Sequence, residues 1–242
     1  MPSVLDHYAR HLGPVYAWLA GGIDAATDRG ATELNALDLP ASNGRPVVDL
    51  GAGFGMHAIP LARAGYPVIA MDSCAALLDE LRARKGNLPI DIVMDDLLAF
   101  SNHLQESPQA ILCMGDTLTH LESEESVRQL CSEAASALHA DGYFVISFRD
   151  YSSELTAEQR FIQVRSDENR ILTCFLEYSN THVTVHDLLH EHEAAGWKLR
   201  ASSYRKLRIA PEWMIRTLES FGFIVRRESG LAGMIRLVAQ RD

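Results

Sequence analysis

A glycine-rich turn between two short apolar runs constrains this sequence more than any other feature. The stretch from Val47 to Asp72 reads VVDLGAGFGMHAIPLARAGYPVIAMD, with alternating glycines at Gly51, Gly53 and Gly55. It predicts a strand, a turn, a helix and a second strand that ends in an acid. Glycine lets the backbone approach a ligand closely, and a helix N-terminus presents free N–H groups. An acid about 20 residues after the turn can accept hydrogen bonds from a ribose diol, so we predict a cofactor site here.

The glycine spacing distinguishes two classes of cofactor. Dinucleotide sites have the pattern GxGxxG, whose third glycine allows close packing of helix and strand under a pyrophosphate. Here Met56 occupies that third position, and Gly55 comes one residue early. The segment DLGAGFG instead resembles motif I of class I S-adenosylmethionine-dependent methyltransferases, which bind a cationic amino acid tail. The resemblance implies S-adenosylmethionine as the cofactor, with Asp49 facing its ammonium group indirectly.

Apolar runs and helical patterns alternate after the turn. Further strands are predicted at Pro89 to Met94, Ala110 to Met114 and Tyr143 to Phe148, with a closing hairpin from Phe223 to Arg227 and from Met234 to Ala239. This alternation predicts an α/β fold with a doubly wound sheet, in which ligands bind at the carboxyl ends of the strands. The resemblance implies a mostly parallel, seven-stranded, Rossmann-like sheet. Ser73 is predicted to cap the helix that follows Asp72.

The pattern changes between residues 160 and 209. Four extended segments with short polar connections predict an antiparallel β-meander: Phe161 to Val164, Ile171 to Tyr178, His182 to Glu191 and Trp197 to Leu207. We therefore divide the chain into a helical N-terminal lid (1–40), a Rossmann-like cofactor domain (41–159 and 210–242) and a β-meander insertion over the substrate pocket (160–209).

Charge and composition limit the partners of the chain. It has 242 residues and a formal net charge of −10, which argues against a nucleic-acid partner. The densest basic cluster (Arg205, Lys206 and Arg208) is predicted to be one exposed strand face. The sequence shows neither a signal-peptide pattern nor an apolar run long enough to span a bilayer, and its cysteines form no CxxC pair. We expect a cytoplasmic protein without a membrane partner that acts on a small molecule, and leave homo-oligomerisation open.

A second resemblance concerns the segments after the fourth and fifth strands. The sequence GDTLTHL (115–121) is similar to a G-N-S-x-x-H-L segment of glycine N-methyltransferase and its small-molecule relatives, and SFRDY (147–151) is similar to that family's D-H-R-N-Y. The meander segments 172–184 and 198–204 also parallel strands of that family. The resemblance covers about Val47 to Phe223, whereas the first 40 residues match poorly.

These resemblances imply a cofactor site along the strand ends. Its predicted members are Asp49, Gly51, Ala52, Gly53, Gly55, Asp72, Ser73, Asp95, Asp96, Leu97, Met114 and Gly115. Asp72 should accept from the ribose hydroxyls, Asp96 from an exocyclic amine, and Leu97 should pack on adenine. Acids at a helix N-terminus are the alternative explanation of Asp95 and Asp96.

The family resemblance also implies an acceptor pocket. Gly115 and Asp116 would lie beside the acceptor nitrogen, and Arg149 would hold a carboxylate through its planar fork. Tyr151 and Tyr204 would line the pocket. Asp116 replaces an asparagine of the family, so it either takes a proton from an ammonium acceptor or selects a more cationic substrate. The alternative for Arg149 is a surface ion pair with Asp150.

The histidines allow two further interpretations. His182, His186, His190 and His192 alternate with apolar residues, which predicts one face of a strand and not a metal site. His120 is a candidate general base because the ordinary pKa of histidine suits that role, although a packing role is equally compatible.

The sequence predicts a methyltransferase of a small molecule, most simply one that methylates the nitrogen of an amine that carries a carboxylate. The alternatives are O- or C-methylation of another metabolite, a nicotinamide-dependent oxidoreductase, and a non-catalytic protein that binds S-adenosylmethionine.

Overall fold

A computed structural model describes residues 3–242 of the chain. Its α-helices are α1 (Val4–His7), α2 (Tyr16–Leu19), α3 (Ile23–Asn35), α4 (Ala58–Arg63), α5 (Ala75–Lys85), α6 (Glu124–Ala137) and α7 (Pro211–Ser220). Its strands are β1 (Val47–Leu50), β2 (Val68–Asp72), β3 (Ile90–Met94), β4 (Ala110–Cys113), β5 (Tyr143–Phe148), β6 (Phe161–Ser166), β7 (Arg170–Tyr178), β8 (His182–Glu193), β9 (Gly196–Leu207), β10 (Phe223–Ser229) and β11 (Ile235–Arg241). No helix in this range is both long and apolar enough to cross a membrane.

The first sheet has seven strands in the order β10-β11-β5-β4-β1-β2-β3. Strands β3, β2, β1, β4 and β5 run parallel, and β11 pairs antiparallel with both β5 and β10. The predicted mostly parallel, seven-stranded α/β fold is therefore confirmed. The strand order reverses between β1 and β4, so the ends of these two strands border the crevice where such sheets bind ligands.

The second sheet is the predicted antiparallel meander, with strand order β6-β7-β8-β9. Along β8, Val183, Val185, Asp187 and Leu189 are buried, and the residues between them are only partly buried. The strand interpretation of the β8 histidines is confirmed, since they occupy the opposite face. Among residues 3–242, no group of three or more His, Cys, Asp or Glu side chains could hold a metal ion.

The N-terminal helical segment lies against both sheets. Leu12 packs with Leu189 of the meander, and Ile23 packs with Phe54 of the glycine turn. A buried imidazole fixes the segment to the meander, because His7 Nε2 lies 2.9 Å from Asp187 Oδ2 and its Nδ1 lies 2.8 Å from Ser202 Oγ. Residues 1 and 2 of the predicted 1–40 lid lie outside the described residues, and the lid function stays a prediction.

Two local predictions were wrong. Lys206 is only 7% exposed, whereas its neighbour Arg205 is exposed, because successive residues of a strand point to opposite faces. The three basic residues therefore do not form one exposed face. Ser73 does not cap α5, whose N-cap residue is Cys74; the carboxylate of Asp72 accepts the N–H of Cys74 at 2.7 Å.

We predict that Gly30→Ala destabilises the protein although Gly30 lies inside α3. Alanine is normally favoured over glycine in a helix by about 1 kcal/mol. Here a Cβ would lie 2.0 Å from the carbonyl oxygen of Met56, so α3 or the glycine turn must shift. We expect the free energy of unfolding to fall by about 2 kcal/mol in denaturant titration.

The matched control is Asp28→Ala, an exposed position on the same helix, which should leave stability within about 0.5 kcal/mol of the wild type. A Gly30→Ala protein as stable as the wild type would show that the close contact between α3 and the turn does not constrain the fold.

Candidate functional site

The glycine turn is held tightly beneath the ends of β1 and β2. The N–H groups of Gly51 and Ala52 both donate to the carbonyl of Met71, each at 2.9 Å. Gly51 has a φ of 75°, and a Cβ there would lie 2.5 Å from the side chain of Thr117. Only glycine fits this position without displacing Thr117, so the turn and the segment after β4 pack as one unit.

Asp72 closes β2 and faces the turn. Its Oδ2 accepts the Gly53 N–H at 2.8 Å, and its Oδ1 accepts the Cys74 N–H at 2.7 Å. Burial raises the pKa of Asp72, although these N–H donors oppose the rise. A carboxylate has about four lone-pair directions, so Asp72 keeps acceptor capacity for a diol.

Asp49 is a buried carboxylate at the end of β1. It is 1% exposed, and its Oδ2 has no hydrogen-bond partner within residues 3–242. Burial raises its pKa to about 6, while His57 opposes the rise; His57 itself lies 3.1 Å from Glu33. A buried acceptor without a donor is costly unless a ligand satisfies it. Asp49 therefore fits the cationic tail of S-adenosylmethionine.

The acids after β3 have structural partners. Asp95 accepts from the N–H of Asp96 at 2.8 Å and pairs with His103 at 2.8 Å, and the His103 hydrogen bond holds the pKa of Asp95 below its ordinary value. Asp96 is exposed and caps the 3-10 helix Leu97–His103 through the Leu98 N–H. The helix-start role of Asp96 is thus observed, and its contact with the cofactor, like that of Leu97, stays a prediction.

Asp116 sits at the end of β4 in a tight turn. Gly115 and Asp116 have φ values of 71° and 74°, and the Gly115 N–H donates to Ser147 Oγ at 2.9 Å. Asp116 is 4% exposed, and its Oδ1 accepts the backbone N–H of Arg149 at 2.9 Å. Its Oδ2 accepts from the Tyr151 hydroxyl at 3.3 Å and from the ammonium group of Lys206.

The Asp116–Lys206 ion pair keeps Asp116 charged. Burial by itself raises the pKa of Asp116, but the Lys206 ammonium and the Arg149 N–H outweigh burial and lower that pKa below its ordinary value. The Lys206 Nζ also lies 6.0 Å and 5.8 Å from the ring centres of Tyr151 and Tyr204. The predicted pocket residues Asp116, Tyr151 and Tyr204 are therefore brought together around a lysine.

A chain of aromatic rings connects the glycine turn to the Asp116–Lys206 pair. Ring centres are 5.9 Å apart between Phe54 and Tyr16, 5.9 Å between Tyr16 and Tyr8, and 5.5 Å between Tyr8 and His120. His120 then lies 5.6 Å from Tyr204. Aromatic faces attract cations, so this wall suits a site for a sulfonium and an ammonium group.

His120 is neutral in this setting. Burial and the positive charge of Lys206 lower its pKa to about 3. Its Nε2 lies 3.3 Å from the Tyr8 hydroxyl, and its buried Nδ1 has no hydrogen-bond partner among the described residues. Such an imidazole is a weak base, so the geometry favours hydrogen bonding over proton abstraction.

Arg149 contacts the pocket through its backbone. Its side chain is exposed, and its guanidinium donates to the carbonyl of Ala232 at 3.0 Å. Asp150, the alternative ion-pair partner, accepts from the backbone and hydroxyl of Ser152. The role of Arg149 as a carboxylate anchor stays a prediction.

Sequence reasoning missed Lys206, Tyr8 and Tyr16. A signal for Lys206 was present, since residues two apart in a strand share a face and Tyr204 was already expected to face the pocket. Tyr8 and Tyr16 lie in the segment that was predicted only as a helical lid, and the sequence there gives no signal for their partners.

Comparisons with known proteins find a methyltransferase domain in part of the chain. Residues 47–142 match a family model described as a methyltransferase domain. A glycine/sarcosine N-methyltransferase of Aphanothece halophytica is 34% identical over 108 residues, which span 43% of this chain and 40% of that relative.

Two solved structures share the fold. The crystal structure of DesVI from Streptomyces venezuelae superposes with a TM-score of 0.76 at 15% identity and covers 95% of this chain and 98% of its own. CalS10, an amino pentose methyltransferase from Micromonospora echinaspora solved with S-adenosylmethionine bound, superposes with a TM-score of 0.72 at 19% identity, covering 90% and 91%.

The strand order and the superposed structures show that the chain has the fold of class I S-adenosylmethionine-dependent methyltransferases, and its residues 47–142 match a methyltransferase domain. The segment aligned with the glycine/sarcosine enzyme spans less than half of that relative, so its substrate does not transfer with the match.

We predict that His120 makes stability acid-sensitive. Its pKa is about 3 when folded and about 6.5 when unfolded, so between these values the unfolded chain binds a proton that the folded chain does not. Stability from His120 is present above pH 6.5 and lost as the pH falls. From pH 7 to pH 5 the wild type should lose about 2 kcal/mol more unfolding free energy than His120→Gln.

Denaturant titrations at the two pH values measure this difference. His192→Gln is the control, because His192 is exposed on β8, and it should keep the pH dependence of the wild type. Equal pH dependence of the wild type and His120→Gln would contradict the lowered pKa of His120.

Proposed function

We propose that the protein transfers a methyl group from S-adenosylmethionine to the nitrogen of a small amine that carries a carboxylate. The observation that carries this proposal is the ionised, buried carboxylate of Asp116 at the end of β4, beside an aromatic wall that begins at the glycine turn. S-adenosylmethionine supplies the activated methyl group, so the protein has to align the acceptor and exclude water.

The cofactor half of the site is assigned to the turn. Asp72 is proposed to accept from the ribose hydroxyls with the oxygen capacity left beside its two N–H donors. Asp49 is proposed to compensate the positive charge of the amino acid tail, and Gly53 leaves room for backbone contact, since a Cβ there would have only Leu77 near it, at 3.8 Å. The contacts of Asp96 and Leu97 with the adenine remain part of the proposal.

The acceptor half is assigned to Asp116. Its lowered pKa makes it a poorer base than an ordinary carboxylate, so we propose that it holds the ammonium of the acceptor in place and that this ammonium releases its proton to water. The neutral nitrogen would then accept the methyl group through its lone pair, and S-adenosylhomocysteine would be released. Tyr151, Tyr204 and Tyr8 surround that position, and burial raises the pKa of each phenol, which keeps them neutral donors. The carboxylate of the acceptor then requires a cation nearby, for which Arg149 and Lys206 are the candidates.

The names of similar proteins support an amine acceptor. One relative is a glycine/sarcosine N-methyltransferase, and one structural neighbour acts on an amino pentose. An oxygen acceptor is the second candidate. The neutral imidazole of His120 beside the Tyr8 hydroxyl favours it, because an uncharged ring nitrogen can accept a hydrogen bond from an acceptor hydroxyl.

The proposed function is tested with a panel of small amines, amino acids, phenols and acids, scored by release of S-adenosylhomocysteine. We expect turnover with amino acids, and Asp116→Asn should lower kcat/KM for them at least about 100-fold while its affinity for S-adenosylhomocysteine stays unchanged.

Asp150→Asn is the matched control. Asp150 is also an aspartate, but its side chain is exposed and accepts a hydrogen bond from Ser152. Turnover with phenols or acids alone would show that the protein methylates oxygen and not nitrogen. Binding of S-adenosylhomocysteine without turnover on any compound would indicate a non-catalytic protein.

We also predict that cofactor affinity falls below pH 6. The ammonium of the cofactor favours ionised Asp49, whose pKa is about 6 before binding, so acid protonates the group that must be charged. The Kd of S-adenosylhomocysteine, measured by calorimetry, should rise about tenfold for each pH unit below 6.

Asp49→Asn should bind more weakly at pH 8 and lose this pH dependence, whereas Asp91→Asn, an exposed acid on β3, should behave as the wild type. A pH profile retained in Asp49→Asn would show that the pH dependence does not come from Asp49.

A further inference from the structure

We propose that Lys206 binds the carboxylate of the acceptor, and that the Asp116–Lys206 pair opens to admit a zwitterion. The inference rests on the proposed function and specifies its substrate class. The ammonium of the acceptor would pair with Asp116, and its carboxylate with Lys206.

The position of the two candidate cations favours Lys206. Its side chain is 9% exposed and is bonded to the same carboxylate that faces the acceptor. The guanidinium of Arg149 is exposed and bonded to the carbonyl of Ala232. A carboxylate that binds beside Asp116 is therefore nearer to the ammonium of Lys206 than to the guanidinium of Arg149.

Charge balance makes the pocket selective for a zwitterion. Removing one partner of a buried ion pair is strongly destabilising, because it leaves an uncompensated charge. A plain amine would compensate Asp116 but leave Lys206 without a counter-charge, and a plain acid would do the reverse. An amino acid brings both charges and restores a partner to each residue, so the pocket distinguishes it from either simpler compound.

The pair is built so that one partner can move. Asp116 is fixed, since its Oδ1 accepts the Arg149 N–H at 2.9 Å and its backbone lies in a tight turn. Lys206 carries its charge on a flexible four-carbon stem. The rings of Tyr151 and Tyr204 lie about equally far from its Nζ, at 6.0 Å and 5.8 Å, and can hold the ammonium as it turns from Asp116.

The test compares amino acids with their amides on the complex of the protein with S-adenosylhomocysteine. The probes are glycine, sarcosine and alanine, each beside its amide, which lacks the negative charge. Calorimetry gives each Kd without turnover, and KM and kcat are measured with S-adenosylmethionine.

The wild type should bind at least one of these amino acids more tightly than its amide. In Lys206→Met the Kd of that amino acid should rise about 30-fold, whereas its cationic amide should bind more tightly than to the wild type, since Asp116 is then uncompensated. This inversion is not expected from structural damage, which weakens both.

Three variants complete the comparison. Lys206→Arg keeps the charge and should keep the preference for the acid, and Asp116→Asn/Lys206→Met removes both charges and should bind neither form well. Lys198→Met, on an exposed part of the same strand, should match the wild type.

The inference is overturned if Lys206→Met weakens acid and amide equally, if Arg149→Met alone produces the inversion, or if no amino acid of the series binds the wild-type complex. Failure of the proposed function has a different signature, the absence of S-adenosylhomocysteine release with any amine, and the binding inversion can be measured in either case.

Discussion

The ion pair between Asp116 and Lys206 joins the two sheets of the molecule at the point where both reach the site. Asp116 follows β4 of the parallel sheet, and Lys206 lies on β9 of the meander. Each charge is buried and each is compensated by the other. Separating the meander from the parallel sheet would therefore break the ion pair and leave a buried charge without its partner, which is strongly destabilising. The packing of the meander on the parallel sheet therefore depends on Asp116 and Lys206 both being charged.

The glycine turn and the pocket are coupled through packed side chains. Thr117, next to Asp116, fills the space that a side chain at Gly51 would need. From the other side, Tyr8 and Tyr16 of the N-terminal segment extend from Phe54 in the turn to His120 in the pocket. That segment is itself held on the meander through His7 and Asp187. The glycine turn and the Asp116 cluster are thus packed against the same side chains. Because protein interiors are closely packed, a displacement of the turn should also displace side chains of the cluster.

Local patterns account for what could be predicted from the sequence. The strands from β1 to β5 and the glycine turn were predicted because apolar periodicity and glycine spacing are properties of neighbouring residues. The tyrosines of the N-terminal segment were not assigned to the site, because their partners lie outside that segment: Tyr8 contacts His120, which is 112 residues away, and Tyr16 contacts Phe54. Lys206 was missed for a different reason: it was grouped with Arg205 by proximity in sequence, although alternation along a strand separates their side chains.

Pairing with Lys206 accounts for an aspartate at position 116, where the G-N-S-x-x-H-L segment that this part of the chain resembles has an asparagine. A buried aspartate without a cation has a raised pKa and becomes neutral, and a buried lysine facing an asparagine has no counter-charge. Each residue is therefore tolerable because the other is present, 90 positions away in the sequence. The charge state of Asp116 therefore depends on Lys206, and this dependence follows only once the fold has placed β9 beside the end of β4.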